Sequence, residues 1–131
     1  MKRKYFKGEI EELRNNQVFV FGSNLAGRHG RGAAKIAKEN FGAVYGVGKG
    51  MTGDCYALPT KDSKVVTLSL SSIEVYVSEF IRFAKRHLDF EFLVTEVGCG
   101  LAGYSPEVIA PLFKDAPSNC VFSENWRKYL E

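Results

Sequence analysis

Two glycine clusters carry most of the chemistry open to this sequence. Residues 96–113 read EVGCGLAGYSPEVIAPLF, with Gly98, Gly100 and Gly103 inside six positions. Residues 22–32 read GSNLAGRHGRG, with Gly22, Gly27, Gly30 and Gly32. Each cluster follows an apolar run and precedes a helix-like run. Glycine has no Cβ, so phosphate oxygens can come close to backbone N–H groups, and the N-terminus of the following helix adds a favourable field. Two such loops side by side would hold a diphosphate. Tight turns alone are the competing explanation, and a single cluster does not separate the two.

Other side chains could act on a ligand held there. Lys61 follows the run YALPT. A lysine there is a surface cation, a phosphate contact or, if unprotonated, a nucleophile. His29 and Arg28 lie inside the first glycine loop, where a general base or an anion partner would be wanted. Asp54 and Asp62 flank predicted strands and fit ordinary turn chemistry. Cys99 sits between two glycines with no partner base near it in sequence, which favours a small buried thiol over a nucleophile.

Several function classes are excluded. There is no GxxxxGK[ST] phosphate loop, and GRHGRGAA is not a dinucleotide fingerprint placed directly after a strand. The three cysteines, Cys55, Cys99 and Cys120, form no CxxC pair, so neither a disulfide framework nor a metal site is expected. No cofactor is expected either. No run is apolar enough to span a membrane, and a reducing, cytoplasmic setting is the expectation. The net charge of +3 suits an anionic ligand but does not announce a nucleic-acid binder. The basic cluster Lys2, Arg3, Lys4 and Lys7 reads as a solvated terminus, with a nucleic-acid-binding arm as the alternative.

These residues need a scaffold, and 131 residues suffice for one domain spanning 1–131. VFVFG (18–22), CYALPT (55–60, ended by Pro59), KVVTLSL (64–70), FEFLVTEV (90–97) and NCVFS (119–123) read as strands. Helices are predicted over 33–42, with Ala33, Ile36, Ala37 and Phe41 on one face and Gly42 at the C-cap, and over 72–87, with Ile73, Val77, Phe80, Ile81 and Ala84 inward. A third helix starts from Ser105 with Pro106 first, and a closing helix from Ser123. Residues 9–17 carry only a short helix or turn. The alternation predicts an α/β domain with a largely parallel sheet, which binds ligands beyond the carboxyl ends of its strands.

The blocks VFVFGSNLAGRHGRGAAKIAKENFGA, CYALPTKD, LVTEVGCGLAGYSPEVIAPLF and CVFSENWRKYL together resemble the macrodomain family. The VGCGLAG block is the most specific match, and it is similar to the branch that includes terminal ADP-ribose protein glycohydrolases. The resemblance implies a three-layer α/β/α domain that binds ADP-ribose, free or on an ADP-ribosylated macromolecule. It implies that Asn24 meets the distal ribose, with Gly22, Ser23, Gly30, Gly32 and Ala33 along that ribose and the phosphates. Gly98, Cys99, Gly100, Leu101, Ala102 and Gly103 would wrap the diphosphate, and Tyr104 would close over it. Phe122 would stack on adenine, and Glu9, in KGEI, would receive the adenine amino group. Lys61 matches the lysine of the glycohydrolase branch, and His29 is a second catalytic candidate. That branch carries an acid directly after Gly-Cys-Gly-Leu, where this chain has Ala102, so hydrolysis is left open beside binding.

Overall fold

The computed structural model describes residues 2–131. Among these residues, six strands form one sheet in the order β1-β6-β5-β2-β4-β3. They are β1 (Lys4–Phe6), β2 (Gln17–Asn24), β3 (Gly50–Thr52), β4 (Cys55–Lys61), β5 (Glu91–Val94) and β6 (Cys120–Ser123). All neighbours run parallel except β3, which turns back antiparallel along β4. The helices are α1 (Gly32–Asn40), α2 (Leu70–Arg86), α3 (Pro106–Ile109), which continues as a 3₁₀ turn over Ala110–Phe113, and α4 (Arg127–Leu130).

Both faces of the sheet are covered, making three α/β/α layers. Val18 and Val20 of β2, with Tyr56 and Leu58 of β4, point into one cluster with α2, the 3₁₀ turn after α3, and Trp126. Their alternates Phe19, Phe21, Cys55 and Ala57 point the other way, against Ala34 and Ala37 of α1 and against Phe41. This is the period-two alternation of a strand with a layer on either side. The five apolar residues expected on the inner face of α2 are all buried. Its N-cap Ser69 accepts from the Ser72 amide, three residues before the expected start.

Several sequence expectations need correction. The strand read over 90–97 ends at Val94, the C-cap of α1 is Phe41 rather than Gly42, and a 3₁₀ turn over Glu124–Trp126 separates Ser123 from α4. Residues 64–70 are not a strand. Asp62 accepts from the amides of Lys64 (2.8 Å) and Val66 (3.0 Å), which winds the chain into a tight turn and overrides the β-branched run. Only one isolated bridge, Lys61 to Thr67, remains there. Pro59 does not end β4. Strand β3 covers only Cys55–Ala57, so at Pro59 β4 is an edge on that side, the setting in which a strand admits proline. The basic N-terminal cluster is not wholly solvated either. Lys4 lies in β1, beside β6. Arg3 donates to the carbonyls of Lys114 (2.6 Å) and Ala116 (3.2 Å).

The topology fixes where a site can form. From β2 the chain moves outward through α1 and β3 to β4, then through α2 back across to β5 on the other side of β2. The order therefore reverses about β2. In open parallel sheets the loops part at such a reversal, beyond the strand carboxyl ends, and leave a crevice.

Candidate functional site

Two cavities meet at that crevice. The first, of about 640 Å³, lies past the ends of β2, β4 and β5. Strand β2 delivers Gly22, Ser23 and Asn24, β4 delivers Thr60 and Lys61, and the chain beyond β5 delivers Thr95 to Ala102. The first turn of α1, Gly32 to Ala34, closes another side, and Arg28, Gly30 and Arg31 of the preceding loop lie on the wall. Twelve sequence-predicted residues thus come together here: Gly22, Ser23, Asn24, Gly30, Gly32, Ala33, Lys61, Gly98, Cys99, Gly100, Leu101 and Ala102.

The local chemistry explains the loop shapes. The Asn24 carboxamide accepts from the Arg28 amide (3.0 Å) and donates to the Arg28 carbonyl (2.8 Å), which closes the first loop on itself. Ser23 is buried and donates to the Gly48 carbonyl. Gly98 has φ +76°, and a Cβ there would press on Ile109 at 3.2 Å, so it answers both to backbone conformation and to close packing. Gly100 differs. Its φ is not left-handed, and a Cβ would meet nothing within 4 Å. Neither fold constraint demands glycine there, and the residue faces the cavity. Among the described residues, the amides of Gly100, Leu101 and Ala102 find no acceptor. The Arg31 side chain does not cap α1, so the first amides of that helix are also open towards the cavity.

Charge divides the site. Arg28, Arg31 and Lys61 line the first cavity, and its lining includes a single carboxylate, Glu96. The second cavity, of about 940 Å³, has the opposite balance: Glu9, Glu11, Glu96 and Glu124 against Lys7. Apolar surface from Phe6, Ile10, Phe19 and Ile36 completes it. Glu9 therefore lies in this chamber, apart from the glycine loops but joined to them. Gly32, Ala33, Thr95 and Glu96 belong to both walls.

Four expected site residues lie elsewhere. Phe122 has no exposed surface. It packs against Phe113 and Trp126, with the Arg3 guanidinium 5.4 Å from its ring centroid, so neither face is open to a purine. The period of β6 turns it into the α2-side core. His29 is likewise fully buried and lines neither cavity. Its Nε2 pairs with the Val47 carbonyl (3.1 Å), its ring stands edge-on to Phe21, and burial pushes its pKa below the usual histidine value. It anchors the first loop to the segment beneath it rather than serving as a solvent-facing base. Tyr104 donates its hydroxyl to the Leu68 carbonyl (2.7 Å) and packs on the core instead of closing the cavity. Gly103, at φ +89°, makes the turn that returns its amide to the Gly100 carbonyl (3.0 Å).

Two other candidates settle into structural roles. Asp62 spends its carboxylate on its own turn. Burial, and then the charge of Glu96, push the Cys99 thiol up to about 11, so it is protonated near neutrality. The sequence reading overlooked Glu96. It accepts from Ser123 (2.9 Å) and Asn125 (3.0 Å) through Oε2. The available signal was a carboxylate standing between a buried strand and the Val-Gly-Cys-Gly turn.

No family model matches the chain. No curated protein matches it. Two solved structures share its fold. One is a protein of unknown function from Bacteroides thetaiotaomicron, 19% identical, with a TM-score of 0.61 over 94% of this chain and 98% of that one. The other, a crystal structure of a protein also from Bacteroides thetaiotaomicron, is 18% identical, with a TM-score of 0.57 over 93% and 99%. At such identities the likeness concerns the fold alone.

Proposed function

We propose that this chain binds ADP-ribose, or a related NAD-derived nucleotide, across the two joined cavities. The observation that carries this is the division of charge. One chamber offers Arg28, Arg31, Lys61 and open glycine-loop amides, and the other offers apolar surface and carboxylates. A nucleotide diphosphate has that same asymmetry. Its anionic half belongs with cations and N–H donors, and its base is a flat, neutral group whose amino hydrogens suit a carboxylate such as Glu9. With Phe122 in the core, the apolar contact to the base falls to Phe6 and Ile10 at the second chamber.

Binding, rather than bond cleavage, is the function proposed. Ala102 on the wall of the first chamber can neither give nor take a proton, and Asp62 is committed to its turn. Lys61 is the one retained candidate for attack on an anomeric carbon, and an amine attacks only when unprotonated. The nucleic-acid alternative has no observation of its own beyond the exposed Lys2, Lys4 and Lys7.

Calorimetric titration with ADP-ribose, beside AMP and NAD, tests the proposal. Micromolar affinity for ADP-ribose with weaker AMP and NAD is the expected result. No heat with millimolar ADP-ribose would overturn it.

A further inference from the structure

Four residues form the junction between the chambers, and two of them, Thr95 and Glu96, have polar side chains. The Thr95 hydroxyl already donates to the Val20 carbonyl at 2.7 Å. Glu96 is held in place through Oε2 by Ser123 and Asn125, and its Oε1 has no protein partner among the described residues. The junction thus presents one oriented, acceptor-only group.

We infer that Glu96 selects for an unmodified ribose at this junction and rejects ligands that carry a phosphate on that sugar. The inference rests on the nucleotide reading above. In a nucleoside diphosphate the sugar lies between base and diphosphate. If the base occupies the acidic, apolar chamber and the diphosphate the cationic one, the ribose spans Glu96. A carboxylate accepts from a ribose hydroxyl but has no hydrogen to give a phosphate. A phosphomonoester in place of that hydroxyl would bring close to two negative charges toward Glu96. Glu9 and Glu124 add to the repulsion from the second chamber, where Lys7 is the one lining cation. Dinucleotide-binding folds make the same discrimination with an acidic residue at the ribose 2′-hydroxyl. The class of ligand implied is NAD-derived rather than NADP-derived.

The test compares ADP-ribose with its 2′-phosphate by calorimetry, on the unaltered protein and on Glu96→Gln. Glutamine keeps the shape and an acceptor oxygen but removes the charge. The unaltered protein should bind the 2′-phosphate at least about tenfold more weakly, the scale of one charged hydrogen bond lost. In Glu96→Gln, with its thermal midpoint checked, the ratio should shrink to about threefold or less, as expected when only the charge is removed. Equal affinity for both ligands in the unaltered protein would overturn the inference and leave nucleotide binding standing. Discrimination that persists undiminished in Glu96→Gln would also overturn it, by placing the selection elsewhere. Failure of both ligands to bind would remove the nucleotide reading and this inference together.

Discussion

Asn24 and Lys61 face each other across the last rung between β2 and β4, one step past the bulge that follows Ser23. The bulge breaks the regular register at the point where both strands run out into the first cavity. The Leu25 amide then bonds the Lys61 carbonyl at 3.0 Å, which holds the two strand ends together. The lysine thus leaves the sheet from a fixed backbone, with a flexible side chain on the cavity wall.

Replacing Lys61 by alanine should weaken ADP-ribose binding by about tenfold, the scale of one charge-assisted contact to phosphate. The thermal midpoint should stay within about 2 °C, because no core contact is lost. Titration of the variant at low and high salt checks the cause. A charge contact predicts that the deficit narrows as salt rises, and a deficit independent of salt would count against it.

Gly100→Val separates ligand from fold. The backbone there tolerates a side chain and open space surrounds the position. The variant should therefore keep its unfolding midpoint and lose ligand binding. Unchanged affinity would remove the loop from the diphosphate site.

His29 should leave a mark on stability against pH. Burial lowers its folded pKa below 6.5, so the unfolded chain takes up the proton first as pH falls. Its contribution is whole above about 6.5 and is lost as pH drops through the folded value. Urea unfolding at pH 7.5 and 5.5 should show a larger loss for the unaltered protein than for His29→Gln. Identical losses would refute this role.

Val65 holds φ +64°, a left-handed conformation that a β-branched residue adopts only under strain. Val65→Gly should stabilise the fold by about 1 kcal/mol, since relief of the Cβ clash outweighs the added freedom of the unfolded chain. Urea unfolding measures it directly, and a loss of stability would mean that the valine side chain contributes packing worth more than the strain.

Sequence pattern was most reliable where one periodicity ran unopposed. The five inward residues of α2, Ile73 to Ala84, repeat at helical spacing over about three turns, and the apolar run VFVFG lies wholly within β2. It was least reliable where a distant partner decides the outcome. Three residues of a basic stretch become β1 because β6 lies beside them, and residues 64–70 lose their strand to a single aspartate. Phe122 was misplaced because a strand end in sequence does not say which face its last aromatic takes. Glu96 was missed because the two groups that orient it, Ser123 and Asn125, lie 27 and 29 residues further along the chain.

The pairing of β1 with β6 has a bearing on how the protein is made. Lys4 finds its neighbour in Val121, so within this sheet the strand translated first is paired by the one translated last. At about 5–20 residues per second, β1 waits several seconds or more without a partner while the middle of the sheet forms around β2. Its Lys-Tyr-Phe edge is short and cationic, and such edges resist joining a stranger's sheet.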